Sequence, residues 1–91
     1  MEILTEHKLK YLNRRVVEIK ELKESLANDD YEVAITIGHR LKGNGETFGY
    51  PHISTLGISL EQAALARNKE KLKDTIDELA SNIEENLKKI Q

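Results

Sequence analysis

Three residues in one short stretch have the types and spacing to handle a phosphoryl group. They lie in Gly38-His39-Arg40-Leu41-Lys42-Gly43-Asn44-Gly45. An unperturbed imidazole keeps a neutral, nucleophilic nitrogen plentiful near pH 7. To accept a phosphoryl group it also needs exposure, space and a nearby cation. If this stretch is helical, residues three and four apart share a face, so Lys42 and Gly43 both sit beside His39. Ile37 and Leu41 are each two positions from His39, roughly 200° around the helix, so a core-facing Ile37 and Leu41 turn His39 to water. Gly43 carries no side chain beside the ring, and the Lys42 ammonium can pair with phosphate oxygens. A glycine inside a helix costs about 1 kcal/mol relative to alanine, and room for a group on the imidazole is a reason to accept that.

The elements that must position this stretch are helices. Leu9, Leu12, Val16, Ile19, Leu22 or Lys23, and Leu26 recur at three- and four-residue steps and predict a first helix over about Thr5–Leu26. Arg14, Arg15, Glu18, Lys20, Glu21 and Glu24 fall on its other faces, with Arg14–Glu18 and Lys20–Glu24 in i,i+4 register. Asp29 and Glu32 read as a capping pair for a second helix from about Asp30 to Gly45 or Glu46, with Val33 or Ala34, Ile37 and Leu41 inward. Ile35 and Thr36 fall on the His39 face. Gly49 suits the end of that segment, and Pro51 suits the first turn of a third helix over about Pro51–Ala66. Ile53, Leu56, Leu60 and Ala63 or Ala64 face inward there, and Gly57 with the alanines implies close approach of a neighbouring helix. After an Arg67-Asn68 turn, Leu72, Ile76, Leu79, Ile83, Leu87 and Ile90 mark a last helix with the clearest periodicity in the chain. Short connections make these antiparallel neighbours, so the fold class is all-α, an antiparallel four-helix bundle, with residues 1–91 as one domain.

Composition narrows the function classes. The 91 residues carry a net charge of −2, which gives no global attraction to nucleic acid or an anionic membrane, and the absence of a basic stripe argues against a helix-turn-helix DNA binder. There is no cysteine, hence no thiol nucleophile or cysteine-based metal site, and His7, His39 and His52 show no metal-ligand spacing. No apolar run reaches membrane-spanning length and the first residues do not read as a signal peptide, so a cytoplasmic protein is expected. Gly43-Asn44-Gly45 is preceded by no strand and followed by no Gly-Lys-Ser/Thr, so it is not a nucleotide phosphate loop, and autonomous kinase activity is not expected. His7 and His52 read as ordinary surface residues.

His39-Arg40-Leu41-Lys42-Gly43, followed by Gly49 ten residues after the histidine, resembles the signature of histidine-containing phosphotransfer (HPt) domains. The likeness continues through Asp30-Tyr31-Glu32, Leu56 and the Leu60-Glu61 pair, and the helix pattern extends it over nearly the whole chain. The resemblance implies a four-helix bundle whose histidine exchanges a phosphoryl group with aspartates of receiver domains in two-component signalling. On it, His39 is the phosphoacceptor, Lys42 stabilises the phosphate, Gly43 gives steric access and Glu61 orients the imidazole. Many members have Ser or Ala after the Lys-Gly pair where this chain has Asn44-Gly45, which are also small. The partners implied are receivers of response regulators or hybrid histidine kinases, which supply the aspartate and a bound Mg²⁺; no intrinsic cofactor, nucleic acid or membrane is implied, and the carrier is expected to be a monomer. The rival reading is a helical adaptor that binds a receiver or other signalling protein without phosphoryl transfer.

Overall fold

The computed structural model describes residues 3–90. They form four helices: α1 (Thr5–Ala27), α2 (Glu32–Asn44), α3 (Pro51–Leu65) and α4 (Lys69–Ile90). No strand occurs among the described residues. Contacts give the directions. Tyr11 meets Asn44 and Glu18 meets Arg40, so α2 runs back along α1. Gly45 lies against Ser54 and Gly38 against Leu60, so α3 runs back along α2. The helices close an antiparallel bundle in which α4 touches both α1 and α3. Ile37, Leu41, Leu56, Leu60, Leu72, Ile76, Leu79 and Ile83 are buried in one cluster, as the periodicity predicts, and both Ala63 and Ala64 join them.

The expected boundaries hold with two changes at α2. Asp29 is not its capping residue. It takes a left-handed φ of 54° to turn the chain, and its carboxylate accepts from Lys69 Nζ at 2.7 Å instead. Asp30, two residues before the helix, accepts from the Glu32 N–H at 3.0 Å. The helix then stops at Asn44, short of the expected Gly45 or Glu46, and Gly49 turns the chain with φ 89°. At the α3–α4 corner, Asn68 accepts from the Lys71 N–H at 3.1 Å, the N-cap its sequence position predicts.

The inner stripe of α1 differs from the sequence expectation. Val16 is 47% exposed, while Arg15 and Glu18 are buried. Burying two charges costs several kcal/mol each unless they are paired. Here the Arg15 guanidinium stacks 4.3 Å from the Tyr11 ring centroid and its Nε sits against Glu18 Oε1. The second Glu18 oxygen is 3.8 Å from Arg40 on α2. The Arg15–Glu18 pair is a close charge contact without aligned hydrogen-bond geometry: Arg15 Nε and Nη1 and Glu18 Oε1 are buried with no hydrogen-bond partner among the described residues. The seam with α2 is thus partly ionic, which period-3.6 counting of apolar residues does not register. The Arg14–Glu18 pairing is replaced by Arg14–Glu21 at 3.8 Å. Ile35 is half-buried and packs on the core cluster, so it is not a free apolar residue of the His39 face.

The tightest packing is between α2 and α3. A Cβ added at Gly57 would fall 2.6 Å from Lys42 N and 2.8 Å from Gly38 O; one added at Gly38 would fall 2.7 Å from both Glu61 N and Gly57 O. Backbone touches backbone here. At Gly43 an added Cβ meets nothing within 4 Å. The two positions therefore predict opposite signs. Gly57→Ala should force the helices apart and destabilise by about 1–3 kcal/mol. Gly43→Ala should stabilise by about 0.5–1 kcal/mol through helix propensity. Urea unfolding of the two variants checks this, and a shift of both in one direction would contradict the packing.

Candidate phosphoacceptor site

The register set by Gly38 and Gly57 places the site. His39 follows Gly38 directly on α2, and Glu61 lies one turn beyond Gly57 on α3. The His39 side chain is 69% exposed and Glu61 is 19% exposed, so the carboxylate sits low between the helices and the imidazole stands above it. His39 Nδ1 is 3.1 Å from Glu61 Oε2. The other carboxylate oxygen, Oε1, is 3.8 Å from Lys42 Nζ. One carboxylate thus bridges the imidazole and the ammonium, and a full turn of α2 separates the two groups it holds.

An ionised carboxylate only accepts hydrogen bonds, so beside Glu61 the proton of a neutral His39 ring belongs on Nδ1. Nε2 then carries the free lone pair, and it has no hydrogen-bond partner among the described residues. The backbone one turn along is bare at Gly43 and open to solvent. Arg40, next to His39 in sequence, is drawn to the opposite side of α2 by Glu18 and leaves Lys42 as the cation on the His39 face.

His39, Lys42 and Glu61 are therefore brought together, with Gly43 one turn from the ring. His7 and His52 are elsewhere: His7 Nε2 is 4.0 Å from Glu6, and His52 Nε2 is 3.4 Å from Glu78. Among the described residues no group of three or more His, Cys, Asp or Glu is gathered to hold a metal ion. Sequence reasoning missed Gly38 as half of a helix-packing contact and the Arg15–Glu18–Arg40 cluster. A second glycine facing Gly57 at matching depth, and an i,i+3 charge pair interrupting an apolar stripe, are the signals that could have found them. It also missed Tyr11, whose hydroxyl donates to Asn44 Oδ1 at 2.6 Å. Burial raises the Tyr11 phenol above its ordinary pKa, partly offset by Arg15, so it stays a donor at neutral pH.

The ring tautomer is measurable. In wild type the ¹⁵N shifts of His39 should show the neutral ring protonated at Nδ1, and Glu61→Ala should move the population toward the Nε2–H form. A wild-type ring already in the Nε2–H form would contradict the Glu61 contact.

No helix among the described residues is long and apolar enough to cross a membrane. A search of curated proteins and a search of solved structures gave no match to this chain. The family model described as Hpt domain matches residues 15–91, which span α2, α3, α4 and most of α1. That family carries out histidine phosphotransfer in two-component signalling, and its members generally interact with response-regulator receiver domains. An all-helical bundle and a match over residues 15–91 together place the chain in one group: it belongs to the Hpt domain family.

Proposed function

We propose that this protein is a phosphorelay carrier in which His39 Nε2 takes a phosphoryl group from an aspartyl phosphate of a receiver domain and passes it to another. The observation that carries this reading is an exposed imidazole tied through Nδ1 to Glu61, with Nε2 free above an open glycine. The Nε2 lone pair attacks phosphorus, the bond from phosphorus to the aspartyl oxygen breaks, and the aspartate leaves as a carboxylate. No proton needs to move. The ring, still protonated at Nδ1, gains positive charge as the N–P bond forms. The Glu61 carboxylate 3.1 Å away offsets that charge where it develops. In the reverse step the N–P bonding pair returns to Nε2 and the ring leaves as a neutral imidazole, because Nδ1 keeps its proton; the Glu61 contact holds that proton in place.

Lys42 has two anions to serve. At rest it is 3.8 Å from Glu61, and once the ring is loaded the phosphoryl oxygens compete for it. Gly43 leaves a path for the incoming group and for the surface that delivers it. The receiver would supply the aspartate and Mg²⁺, the metal neutralising charge on the phosphoryl oxygens. Nothing in the chain reads as a nucleotide site, so the phosphoryl group comes from a partner.

The test is transfer from a phosphorylated receiver followed by mass mapping. His39→Gln keeps size and polarity but removes the nucleophile. It should fold, bind the receiver and take up no phosphate, while His7→Gln and His52→Gln label like wild type. A wild-type protein that binds the receiver without gaining phosphate would instead be an adaptor.

A further inference from the structure

On the side of α2 away from Glu61 lies a groove between the N-terminal half of α1 and the end of α2. Its floor is aromatic: Tyr11 and Phe48 stack with ring centroids 4.4 Å apart. Lys10 and Arg14, both exposed and one turn apart on α1, stand on its rim, with Arg15 and Asn44 in its wall. None of its lining residues is acidic. Lys10 has no ion-pair partner among the described residues, and Arg14 has only Glu21 at 3.8 Å. Arg15 is 7% exposed and its Nη1 lacks a hydrogen-bond partner among the described residues. Asn44 spends its oxygen on the Tyr11 hydroxyl, which leaves its amide N–H groups without a partner among them. A chain of net charge −2 thus collects donors and cations around one apolar recess.

The groove and His39 flank the same helix. His39 leans to the α3 side of α2, where Glu61 holds it, and Asn44 to the α1 side, where Tyr11 holds it. Between them Gly43 leaves α2 without a side chain. A surface that reaches His39 can cross α2 at Gly43 and come to rest in the groove. We infer that the groove is a second anchor for the receiver partner, taking an acidic segment that seats an apolar side chain on the half-buried Phe48 ring and sets carboxylates against Lys10 and Arg14. This rests on the phosphocarrier reading and adds to it the chemistry by which one receiver is preferred. Two lightly paired cations around an aromatic recess suit a short acidic protein segment; a membrane-binding cluster gathers about 4–8 basic residues, and a duplex-binding face needs a basic stripe.

The experiment measures binding and transfer separately. The probe is the receiver domain, from those encoded in the same genome, that binds the wild-type protein most tightly. Its affinity is measured by calorimetry at low and high salt for wild type and for Lys10→Glu/Arg14→Glu, a change confined to exposed side chains. Labelling of His39 by phosphoramidate, a small donor that needs no docking, is measured alongside. The expected result is a Kd raised about tenfold at low salt in the double variant, with the salt dependence of wild type largely lost and phosphoramidate labelling unchanged. A receiver Kd within twofold of wild type overturns the inference and leaves the carrier reading standing. Loss of binding to anionic vesicles or DNA in the variant, with receiver affinity unchanged, also overturns it. A receiver that binds through the groove but never yields phosphate to wild type defeats the carrier reading and leaves the anchor.

Discussion

The contact on which the structure depends is the backbone-to-backbone meeting of α2 and α3 at Gly38 and Gly57. Neither position has room for a Cβ: each would fall under 3 Å from backbone atoms of the facing helix. That closeness fixes more than packing density. It sets the register of the two helices, and the register decides which residue of α3 stands beside His39. Glu61, one turn past Gly57, is delivered to Nδ1 at 3.1 Å. A wider helix pair, spaced by side chains at about 8–10 Å, would leave the carboxylate short of the ring. The site is therefore held where the two backbones pack close together, while the His39 side chain stays 69% exposed and its Nε2 has no hydrogen-bond partner among the described residues.

Charge is arranged around α2 in two separate groups. On the α3 side Glu61 bridges His39 and Lys42, so the ring sits among one negative and one positive side chain. On the α1 side Glu18 gathers Arg15 and Arg40. Holding Arg40 there keeps a second cation off the His39 face. On the proposed phosphocarrier reading, a phosphoryl dianion on Nε2 would meet a Lys42 already paired with Glu61, an environment suited to accepting the group without trapping it. Such a balance fits a relay better than a store. The buried Arg15–Glu18 pair is costly to assemble, and removing Glu18 would leave the Arg15 guanidinium buried without a counter-charge.

Much of this was legible in the residues. The period of α4 announces a helix with one apolar face, and Pro51 and Asn68 mark the starts of α3 and α4 with their own chemistry. His39, Lys42 and Gly43 were readable because helical spacing alone gathers them. Glu61 was reachable only through family resemblance, since its meeting with His39 depends on two helices packed at one register. The errors have a common cause. Val16 fits the α1 stripe by spacing, yet the stripe turns toward α2 and admits Arg15 and Glu18, whose charges pair with each other while the Arg15 guanidinium stacks on Tyr11. Asp29 fits a capping pattern, yet its backbone is needed for a left-handed turn. Long-range pairing decided each case, and pairing of that kind leaves no local period.

The role proposed for His39 turns on which atom carries phosphorus. The protein, ¹⁵N-labelled and loaded with phosphoramidate, can be read by ¹H–¹⁵N and ³¹P NMR, with coupling between phosphorus and ring nitrogen identifying the site. Phosphorus on Nε2 of His39, with Nδ1 still protonated toward Glu61, is the predicted result. Phosphorus on Nδ1 of His39, on His7 or His52, or on no histidine of the folded protein would contradict it.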